Sequence, residues 1–556
     1  MYNMRKDIYK AIIFAVAMVF CFTANAQLGS NKKQFSRQDS LRGSLRPERD
    51  WWNVTRYDIA VSVDIPRKFI KGNVDISYKV LHVSSNNLMQ IDLQEPMQID
   101  RVEYLDTKKA LSFTREGNVY WLQHPSPPQP GSEQKLRIYF KGHPKVAVRA
   151  PWDGGWVWTK DSLGRDWVTV ACQGLGASVW YPCKDHQSDE PDKGASLSIT
   201  VPDSLTAIGN GRLIGTTAHA NGTTTWKWEV TSPINTYNIV PYIGKYVNFK
   251  DAVQGLKGQL DLSYWVLDYN LSRARQQFAV VPEMIRCFED WMGPYPFYED
   301  SYKLVESPHL GMEHQSAVAY GNRYRMGYLG RDLSNSGWGL KWDFIIIHES
   351  GHEWFGNNIT SKDIADMWVH EGFTNYTETM FTECLFGKKA GSEYVIGLRN
   401  AIQNDIPIIG PYGVNKEGSG DMYYKGSNMI HTIRQVIDND SIFKDILRGL
   451  NKDFYHQTVT GKQVEEYISR KSGKDLSKIF EQYLRTVQIP ELQYYKKGKY
   501  IFYKWENVVK GFDMPIKLTN GKWIYPKETL KKIALDELGD TGFEVIPDFY
   551  ITVKEI

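Results

Sequence analysis

The sequence HESGH, preceded by three consecutive isoleucines, constrains the fold and chemistry of this 556-residue chain more than any other stretch. The isoleucines and the Gly-Asn pair that follows are typical of a helix that ends soon after the motif. On such a helix His348 and His352 lie one turn apart on the same face, so both imidazoles can bind one metal ion. Glu349 lies beside them, where its carboxylate can act as a general base. The motif therefore predicts a metal site with a base next to it.

A third protein ligand is needed to hold the metal, and we expect it on a second helix. Zinc suits such a site because it accepts imidazole nitrogen and carboxylate oxygen and keeps a position open for water. Glu371 stands nineteen residues after His352 in WVHEGFTNYTE, a segment with few helix breakers. Glu378 lies two turns further along the same face, where it can hold a ligand imidazole in place. We predict one zinc ion per chain, bound by His348, His352 and Glu371. For the motif alone, the alternative is a buried helix with two structural histidines.

Length and charge limit the class of protein. A chain of 556 residues is too long for one hydrophobic core and predicts about three or four domains. Its hydrophobic share of 42% and charged share of 24% are those of a globular protein, neither disordered nor embedded in a membrane. The formal net charge of +3 shows no excess of basic residues of the kind that binds nucleic acid. These properties leave the oligomeric state open.

The first 26 residues are typical of a secretory signal peptide. Positive residues precede an apolar run at 11–22, and a small-x-small cleavage site ends at Ala26. The run is too short to span a bilayer, and no later stretch is long and apolar enough to be an anchor. The polar residues 27–46 predict a flexible leader. We expect an exported protein without a transmembrane anchor, in the periplasm or outside the cell.

Four cysteines follow the signal peptide: Cys172, Cys183, Cys287 and Cys384. Their wide spacing is not that of a disulfide framework, and none stands in a C-x-x-C pair. We therefore expect buried thiols. A bridge between Cys172 and Cys183 is left open, because it would depend on an oxidising compartment.

Apolar spacing divides the rest of the chain into three regions. Short runs with period-two alternation, separated by Gly, Pro or Asn, predict an N-terminal β domain over residues 47–245. Helical periodicity begins at Leu271 and predicts a mostly helical domain over 246–486, with an edge strand at 302–306. β-type runs return over 487–556, where an Asn-Gly turn indicates a hairpin and the length suits a small β-sandwich. The predicted fold class is multidomain α+β.

The zinc motif and its surroundings resemble the gluzincin aminopeptidase family, which includes aminopeptidase N and leukotriene hydrolase. The family places its third zinc ligand at the same distance, inside a segment like WVHEGF at residues 368–373. It also has a GPYPF stretch, then a strand, then a glycine-x-methionine-glutamate motif, the order found here. The resemblance implies a thermolysin-like helical domain. Larger members carry a further helical superhelix over the active site. We expect no such superhelix here, and therefore a more open cleft.

The resemblance also implies roles for residues outside the zinc motif. Within LGMEH, Glu313 falls on the glutamate that binds the substrate's α-amine, and Gly311 leaves the backbone open to substrate. Tyr423, in the sequence YYKG, falls on the catalytic tyrosine, whose phenol can donate a hydrogen bond to the oxyanion at the scissile carbonyl. Gln173 matches a glutamine at the rim of the substrate pocket. Two positions depart from the family's small residue and asparagine: Leu310 and His314.

The implied function is a zinc-dependent aminopeptidase that acts on peptides with a free N-terminus, with Glu349 as general base. The nearest alternative is a zinc endopeptidase on the same site, against which Glu313 argues. Epoxide hydrolysis is disfavoured, because Asn415 and Gly418 stand where the leukotriene enzyme has an aspartate and a tyrosine. A non-catalytic scaffold of the same fold is the alternative from another class. Such relatives lose the ligands or the base, whereas this chain has them all.

Overall fold

Residues 34–539 and 542–556 are the part of the chain that the computed structural model describes. The predicted signal peptide, residues 1–26, lies outside them, as do residues 27–33 of the predicted leader. The described chain consists of a region of strands, a mostly helical region and a second region of strands, which confirms the α+β fold class. Among the described residues, no helix is long and apolar enough to cross a membrane.

The first described helix corrects the prediction of a flexible leader. Helix α1 (Arg37–Gly43) begins after Ser36, whose hydroxyl accepts a hydrogen bond from the backbone N–H of Asp39. The Asp39 carboxylate accepts one in return from the backbone N–H of Ser36, which completes a capping box. Leu41 is fully buried. The prediction of flexibility is therefore wrong for residues 37–43, because the polar composition concealed a capped helix with a buried leucine.

The N-terminal domain consists mainly of strands. Its ten-stranded sheet has the order β12-β13-β10-β1-β2-β7-β4-β5-β6-β3, and its four-stranded sheet has the order β11-β14-β9-β8. Buried and half-buried residues alternate along much of β1, so one face of the sheet packs into the core. The strands are β1 (Trp52–Asp64), β2 (Phe69–Val80), β3 (Leu88–Asp92), β4 (Gln98–Tyr104), β5 (Ala110–Glu116), β6 (Val119–Gln123), β7 (Glu133–Gly142), β8 (Gly155–Lys160), β9 (Asp166–Ala171), β10 (Ala195–Pro202), β11 (Thr206–Ile208), β12 (Arg212–His219), β13 (Thr223–Val230) and β14 (Tyr242–Gly244).

The second domain packs helices against a five-stranded sheet of order β15-β16-β17-β19-β18, with a separate ladder of β20 and β21. The strands are β15 (Tyr246–Gly255), β16 (Gly258–Leu267), β17 (Tyr302–Glu306), β18 (Gly311–Met312), β19 (Val318–Tyr320), β20 (Ile359–Ser361) and β21 (Gln457–Val459). The helices are α2 (Leu271–Gln277), α3 (Val281–Met292), α4 (Phe344–Gly351), α5 (Trp368–Phe386), α6 (Lys388–Gly397), α7 (Tyr424–Ile437), α8 (Asp440–Asp453), α9 (Gly461–Ser472) and α10 (Ser477–Arg485).

The strand predicted at residues 302–306 is present as β17, but its place in the sheet differs from the prediction. β17 lies between β16 and β19 and pairs in parallel with both. All five of its residues are buried, as expected for a strand covered on both faces. The prediction of an edge strand there is therefore wrong. The edges of this sheet are β15 and β18, and β18 carries Gly311.

The C-terminal region adds strands that share a core with the helical domain. One sheet has the order β26-β23-β22-β27, and β24 and β25 form a two-stranded ladder. Leu492, Trp505 and Phe549 belong to the same buried hydrophobic cluster as the helices. The strands are β22 (Glu491–Lys497), β23 (Tyr500–Glu506), β24 (Ile516–Lys517), β25 (Trp523–Ile524), β26 (Lys531–Ala534) and β27 (Thr552–Glu555).

One pair of cysteines differs from the expectation that all four are buried free thiols. Cys287 on α3 and Cys384 on α5 form a disulfide, with Cα atoms 6.2 Å apart. Cys172 and Cys183 are buried free thiols, so the bridge left open between them is not formed. The expectation of buried thiols is therefore wrong for the first pair. The bonded cysteines are 97 residues apart in sequence, and the packing of α3 against α5 alone brings them together.

Candidate active site

Helices α4 and α5 bring the predicted metal ligands together. His348 lies on α4 and His352 directly follows its last residue, whereas Glu371 lies in the first turn of α5. One ligand atom from each of the three side chains lies within 4.8 Å of the other two. Glu371 Oε2 is 3.7 Å from His348 Nε2 and 3.3 Å from His352 Nε2. All three side chains are buried, so the ligands converge in a water-poor environment.

Helix α4 is fixed at both ends. At its start the Asp343 carboxylate accepts hydrogen bonds from the backbone N–H groups of Ile345 and Ile346. Tyr320 donates to the same carboxylate at 2.7 Å. Beyond its end Gly356 has a φ of +128°, which non-glycine residues rarely adopt. This turn lets the chain leave the helix directly after the second histidine.

Hydrogen bonds on the outer ring nitrogens orient both imidazoles. His348 Nδ1 is 2.7 Å from Glu378 Oε1, and His352 Nδ1 is 3.0 Å from the carbonyl oxygen of Phe355. An Nδ1–H that donates to each oxygen leaves both Nε2 lone pairs facing Glu371. Glu378 therefore contacts the imidazole of His348, one of the metal-ligand candidates.

The donor set fits a zinc ion. Two imidazole nitrogens and one carboxylate oxygen form a ligand set typical of catalytic zinc. Glu371 Oε2 is buried and makes no hydrogen bond with the described residues, which is costly unless a cation is bound there. Burial opposes ionisation of Glu371, but His352 and His348 in their protonated, positively charged form outweigh burial and hold its pKa well below the usual range. Glu371 is therefore a carboxylate.

Glu349 is buried beside the ligands, close to the edge strand β18. Burial raises the pKa of its carboxyl to about 7, although His348 and His352 oppose the shift. A base with a pKa near neutrality can both accept and return a proton. At Gly311 on β18, an added Cβ would lie 2.6 Å from Glu349 Oε1. The absence of a side chain there allows the edge strand to approach the base.

Glu313 follows β18 and is held by the N-terminal domain. Gln173 Nε2 and the Tyr237 hydroxyl both donate to Glu313 Oε1, the latter at 3.0 Å. One carboxylate oxygen of Glu313 lies within 4.8 Å of a carboxylate oxygen of Glu349 and a ring nitrogen of His352. Burial raises the pKa of Glu313, and the charge of His352 opposes the shift. A carboxyl group from outside the zinc motif therefore lies next to the ligand cluster.

Tyr423 lies directly before α7 and faces the same cluster. Its ring stacks on His348, with centroids 6.0 Å apart and planes 22° apart. Burial raises the pKa of its phenol well above 10, and the charges of Glu371 and Glu313 add to the shift. The phenol therefore keeps its proton and can act as a donor. The structure brings all nine predicted site residues into one connected site: Gln173, Gly311, Glu313, His348, Glu349, His352, Glu371, Glu378 and Tyr423.

Two family descriptions match the chain. The peptidase M1 N-terminal domain matches residues 53–238, and the peptidase family M1 domain matches residues 277–483. Together the two segments span well over half of the chain. The chain belongs to peptidase family M1. The three metal-ligand candidates lie in the second matched segment, whereas Gln173 and Tyr237 lie in the first.

Several M1 proteins are similar to this chain. Aminopeptidase N of Lactococcus lactis is 25% identical over 333 residues, which cover 56% of this chain and 38% of that protein. Leukotriene A-4 hydrolase of Xenopus laevis is 21% identical over 443 residues, which cover 76% of this chain and 68% of that protein. A mutant M1 zinc metallopeptidase from Deinococcus radiodurans, bound to a Tyr-Ser-Ala substrate, shares the fold with a TM-score of 0.66 at 19% identity, over 79% of this chain and 95% of that chain. The match spans well under two thirds of several aminopeptidase relatives, including the Lactococcus protein.

Two positions near Glu313 depart from the pattern of the family that the sequence resembles, Leu310 and His314. His314 is buried, and its Nδ1 is 2.5 Å from the Tyr242 hydroxyl. Leu310 is half-buried and packs against the core of the helical domain. Glu313 keeps both hydrogen-bond donors described above. His314 and Leu310 are therefore packed beside a Glu313 carboxylate that has two hydrogen-bond donors.

The side chains that support the predicted site residues were not identified from the sequence. Asn375 Nδ2 and the Tyr394 hydroxyl donate to the two oxygens of Glu378, at 2.7 and 2.6 Å. Asn375 lies one helical turn before Glu378, so spacing on α5 could have indicated it. Tyr394 and Tyr237 lie on other elements, and no local pattern points to them. Asn357, read from the sequence only as part of a helix stop, donates to the Glu313 carbonyl oxygen at 2.9 Å.

Proposed function

We propose that this chain is a zinc-dependent aminopeptidase that removes residues from the free N-terminus of peptides. The observation that carries this proposal is the buried Glu313 carboxylate beside Glu349 and His352. A substrate α-ammonium is positively charged near neutral pH, and a carboxylate poorly screened by solvent attracts it strongly. The M1 relatives named aminopeptidases support the same activity.

The chemistry is divided among the residues around the ligand cluster. His348, His352 and Glu371 would hold the zinc, which supplies Lewis acidity toward the scissile carbonyl and the attacking water. Glu349 takes the proton of that water and later gives a proton to the leaving amine. Tyr423 donates a hydrogen bond to the oxyanion that develops at the carbonyl.

Glu313, Gln173 and Gly311 select and place the substrate. Glu313 pairs with the α-ammonium, which fixes cleavage after the first residue. Gln173 Oε1 is buried and makes no hydrogen bond with the described residues, so it is free to accept one from the same ammonium. Gly311 keeps the edge strand clear of side-chain atoms where the substrate backbone approaches Glu349.

We also propose that the protein acts in an oxidising compartment outside the cytoplasm. The predicted signal peptide gives the route of export. The disulfide between Cys287 and Cys384 supports this location, because disulfides persist mainly in exported proteins.

Cleavage of blocked and unblocked substrates tests the proposed reaction. We expect the zinc-loaded enzyme to hydrolyse L-alanyl p-nitroanilide at least about a hundredfold better than its N-acetyl derivative, because the blocked amine loses a desolvated charge pair. Glu313→Gln keeps the shape of the side chain and removes its charge, so it should shrink this ratio without changing the zinc content. Equal cleavage of blocked and free peptides by the wild-type enzyme would instead indicate an endopeptidase on the same site.

A further inference from the structure

Glu313 is held at two points, its carboxylate and its backbone carbonyl. The carboxylate accepts from Gln173 and Tyr237, as described above. The carbonyl oxygen accepts from Asn357 Nδ2 at 2.9 Å. Asn357 lies on the loop that leaves α4, and its backbone N–H bonds to the His352 carbonyl oxygen at 3.0 Å. The side-chain amide of Asn357 therefore links Glu313, the candidate amine-binding residue, to the loop that follows His352.

Asn357 is itself fixed by the N-terminal domain. Its Oδ1 accepts from Asn238 Nδ2 at 2.8 Å. Asn238 and Tyr237 are neighbours on the short 3₁₀ helix Thr236–Asn238. Thus two consecutive residues of one domain act on Glu313, one directly at the carboxylate and one through Asn357 at the backbone. Asn238 and Asn357 are at most 2% exposed, and Tyr237 is 4% exposed, so these bonds are protected from water.

We propose that Tyr237, Asn238 and Asn357 form a ruler that fixes the distance between the amine-binding carboxylate and the reacting carbonyl. This inference rests on the proposed role of Glu313. The three are positioning residues, because they act on the substrate through Glu313. Their consequence is a substrate class: peptides whose first residue is an α-amino acid, in preference to β-amino acids.

The spacing of the substrate explains this selectivity. In an α-amino acid one carbon separates the amine from the carbonyl carbon, and a β-amino acid adds a bond of about 1.5 Å. An error of about 1 Å in the placement of reacting groups can cost about a hundredfold in rate. A rigidly placed Glu313 therefore excludes the longer amine. A Glu313 freed from one of its anchors can shift to meet it.

The test compares L-alanyl and β-alanyl p-nitroanilide by kcat/KM in the zinc-loaded full chain. Asn357→Ala removes the backbone anchor, and Tyr237→Phe removes one hydroxyl that donates to the carboxylate. We expect each variant to lower the ratio of α to β cleavage about tenfold or more. Tyr237→Phe loses a hydrogen bond to the charged carboxylate of Glu313, and Asn357→Ala loses the hydrogen bond that holds the Glu313 backbone. Zinc per chain should remain unchanged.

Two further variants serve as matched controls. Asn358→Ala removes a buried amide from the same loop, where it bonds to Asn451 at 3.0 and 3.3 Å. Tyr483→Phe removes a buried hydroxyl elsewhere in the molecule, which donates to the Tyr550 carbonyl oxygen at 2.6 Å. Neither side chain bonds to Glu313, so both controls should keep the wild-type ratio. A general loss of stability would lower both activities and leave the ratio unchanged.

The possible outcomes distinguish a failure of the ruler from a failure of the proposed function. If the wild-type enzyme cleaves blocked and free alanyl substrates equally, the proposed function fails and the ruler fails with it. If the wild-type enzyme requires a free amine but both variants keep its ratio of α to β cleavage, the ruler alone is refuted. If Asn357→Ala does not fold, Tyr237→Phe decides the question, because the loss of one hydroxyl leaves the packing intact. β-Alanyl cleavage is followed to its detection limit, which sets the lower bound of the wild-type ratio.

Discussion

Breaking the disulfide between Cys287 and Cys384 should destabilise the helical domain without removing its zinc. The bridge joins α3 to α5, the helix that carries Glu371 near its other end. Thirteen residues separate Cys384 from Glu371, which is roughly 20 Å along a helix. The perturbation is therefore far from the metal ligands, although it lies on the same element.

The expected loss of stability follows from the length of the closed loop. A bridge that spans 97 residues removes about 16 cal/mol/K of chain entropy from the unfolded state, or about 4.7 kcal/mol at 25 °C. Loss of native disulfides usually costs about 2–5 kcal/mol. For a cooperative unit of about 200 residues, this corresponds to a fall in Tm of about 5–15 °C.

Calorimetry of the double variant Cys287→Ser/Cys384→Ser, compared with wild type, measures this shift. A phosphine reductant should lower the Tm of the wild type by a similar amount and should not affect the double variant, which is the matched control. Zinc content and activity at 25 °C should stay close to wild type in both. A shift below about 2 °C, with full reduction shown by thiol titration, would refute the loop-entropy reasoning.

Three further predictions concern the catalytic groups. Removal of zinc by a chelator should abolish hydrolysis, and stoichiometric zinc should restore it. If a variant that replaces His348, His352 or Glu371 retained its zinc, the replaced residue would be excluded as a ligand. Glu349→Gln should keep one zinc per chain while kcat falls by about 10²–10⁴, as measured by metal analysis and steady-state kinetics. Tyr423→Phe should lower kcat by about 10²–10³ with little change in KM, and a normal kcat would remove this phenol from the mechanism.

Much of the arrangement of the candidate metal site could be predicted from the sequence, because helical geometry converts spacing into position. His348 and His352 are one turn apart, and Glu378 is two turns beyond Glu371, so each pair had to share a face. The convergence of the two helices is supported by the family resemblance, because no rule of spacing along a helix predicts that Glu371 lies close to the histidines. The fold class was likewise accessible, because alternation with period two differs clearly from helical periodicity.

Two of the three errors concern features that depend on pairing between distant segments. The polar residues 37–43 have the composition of a leader, yet a capping box and a buried leucine make them a helix. The sequence around residues 302–306 predicts an edge strand, because its length and position do not reveal that β19 pairs on the second side of β17. Cys287 and Cys384 are separated by 97 residues. For β17 and the disulfide the deciding contact lies outside the local pattern, whereas the capping box between Ser36 and Asp39 is local and shows that composition alone is a poor guide there.

The same limit applies to the selectivity of the site, which depends on two domains. The metal-ligand candidates, Glu349 and Tyr423 all lie in the helical domain, so we expect the proposed hydrolysis to depend mainly on the packing of that domain. Glu313 also belongs to that domain, but its carboxylate is held by Gln173 and Tyr237 of the N-terminal domain. Without those donors a buried carboxylate near Glu349 would lack hydrogen bonds, which is costly and favours its protonation. A protonated Glu313 attracts an ammonium weakly. In the proposed function, the preference for a free amine is therefore a property of the domain interface, whereas cleavage of the bond is assigned to the zinc motif.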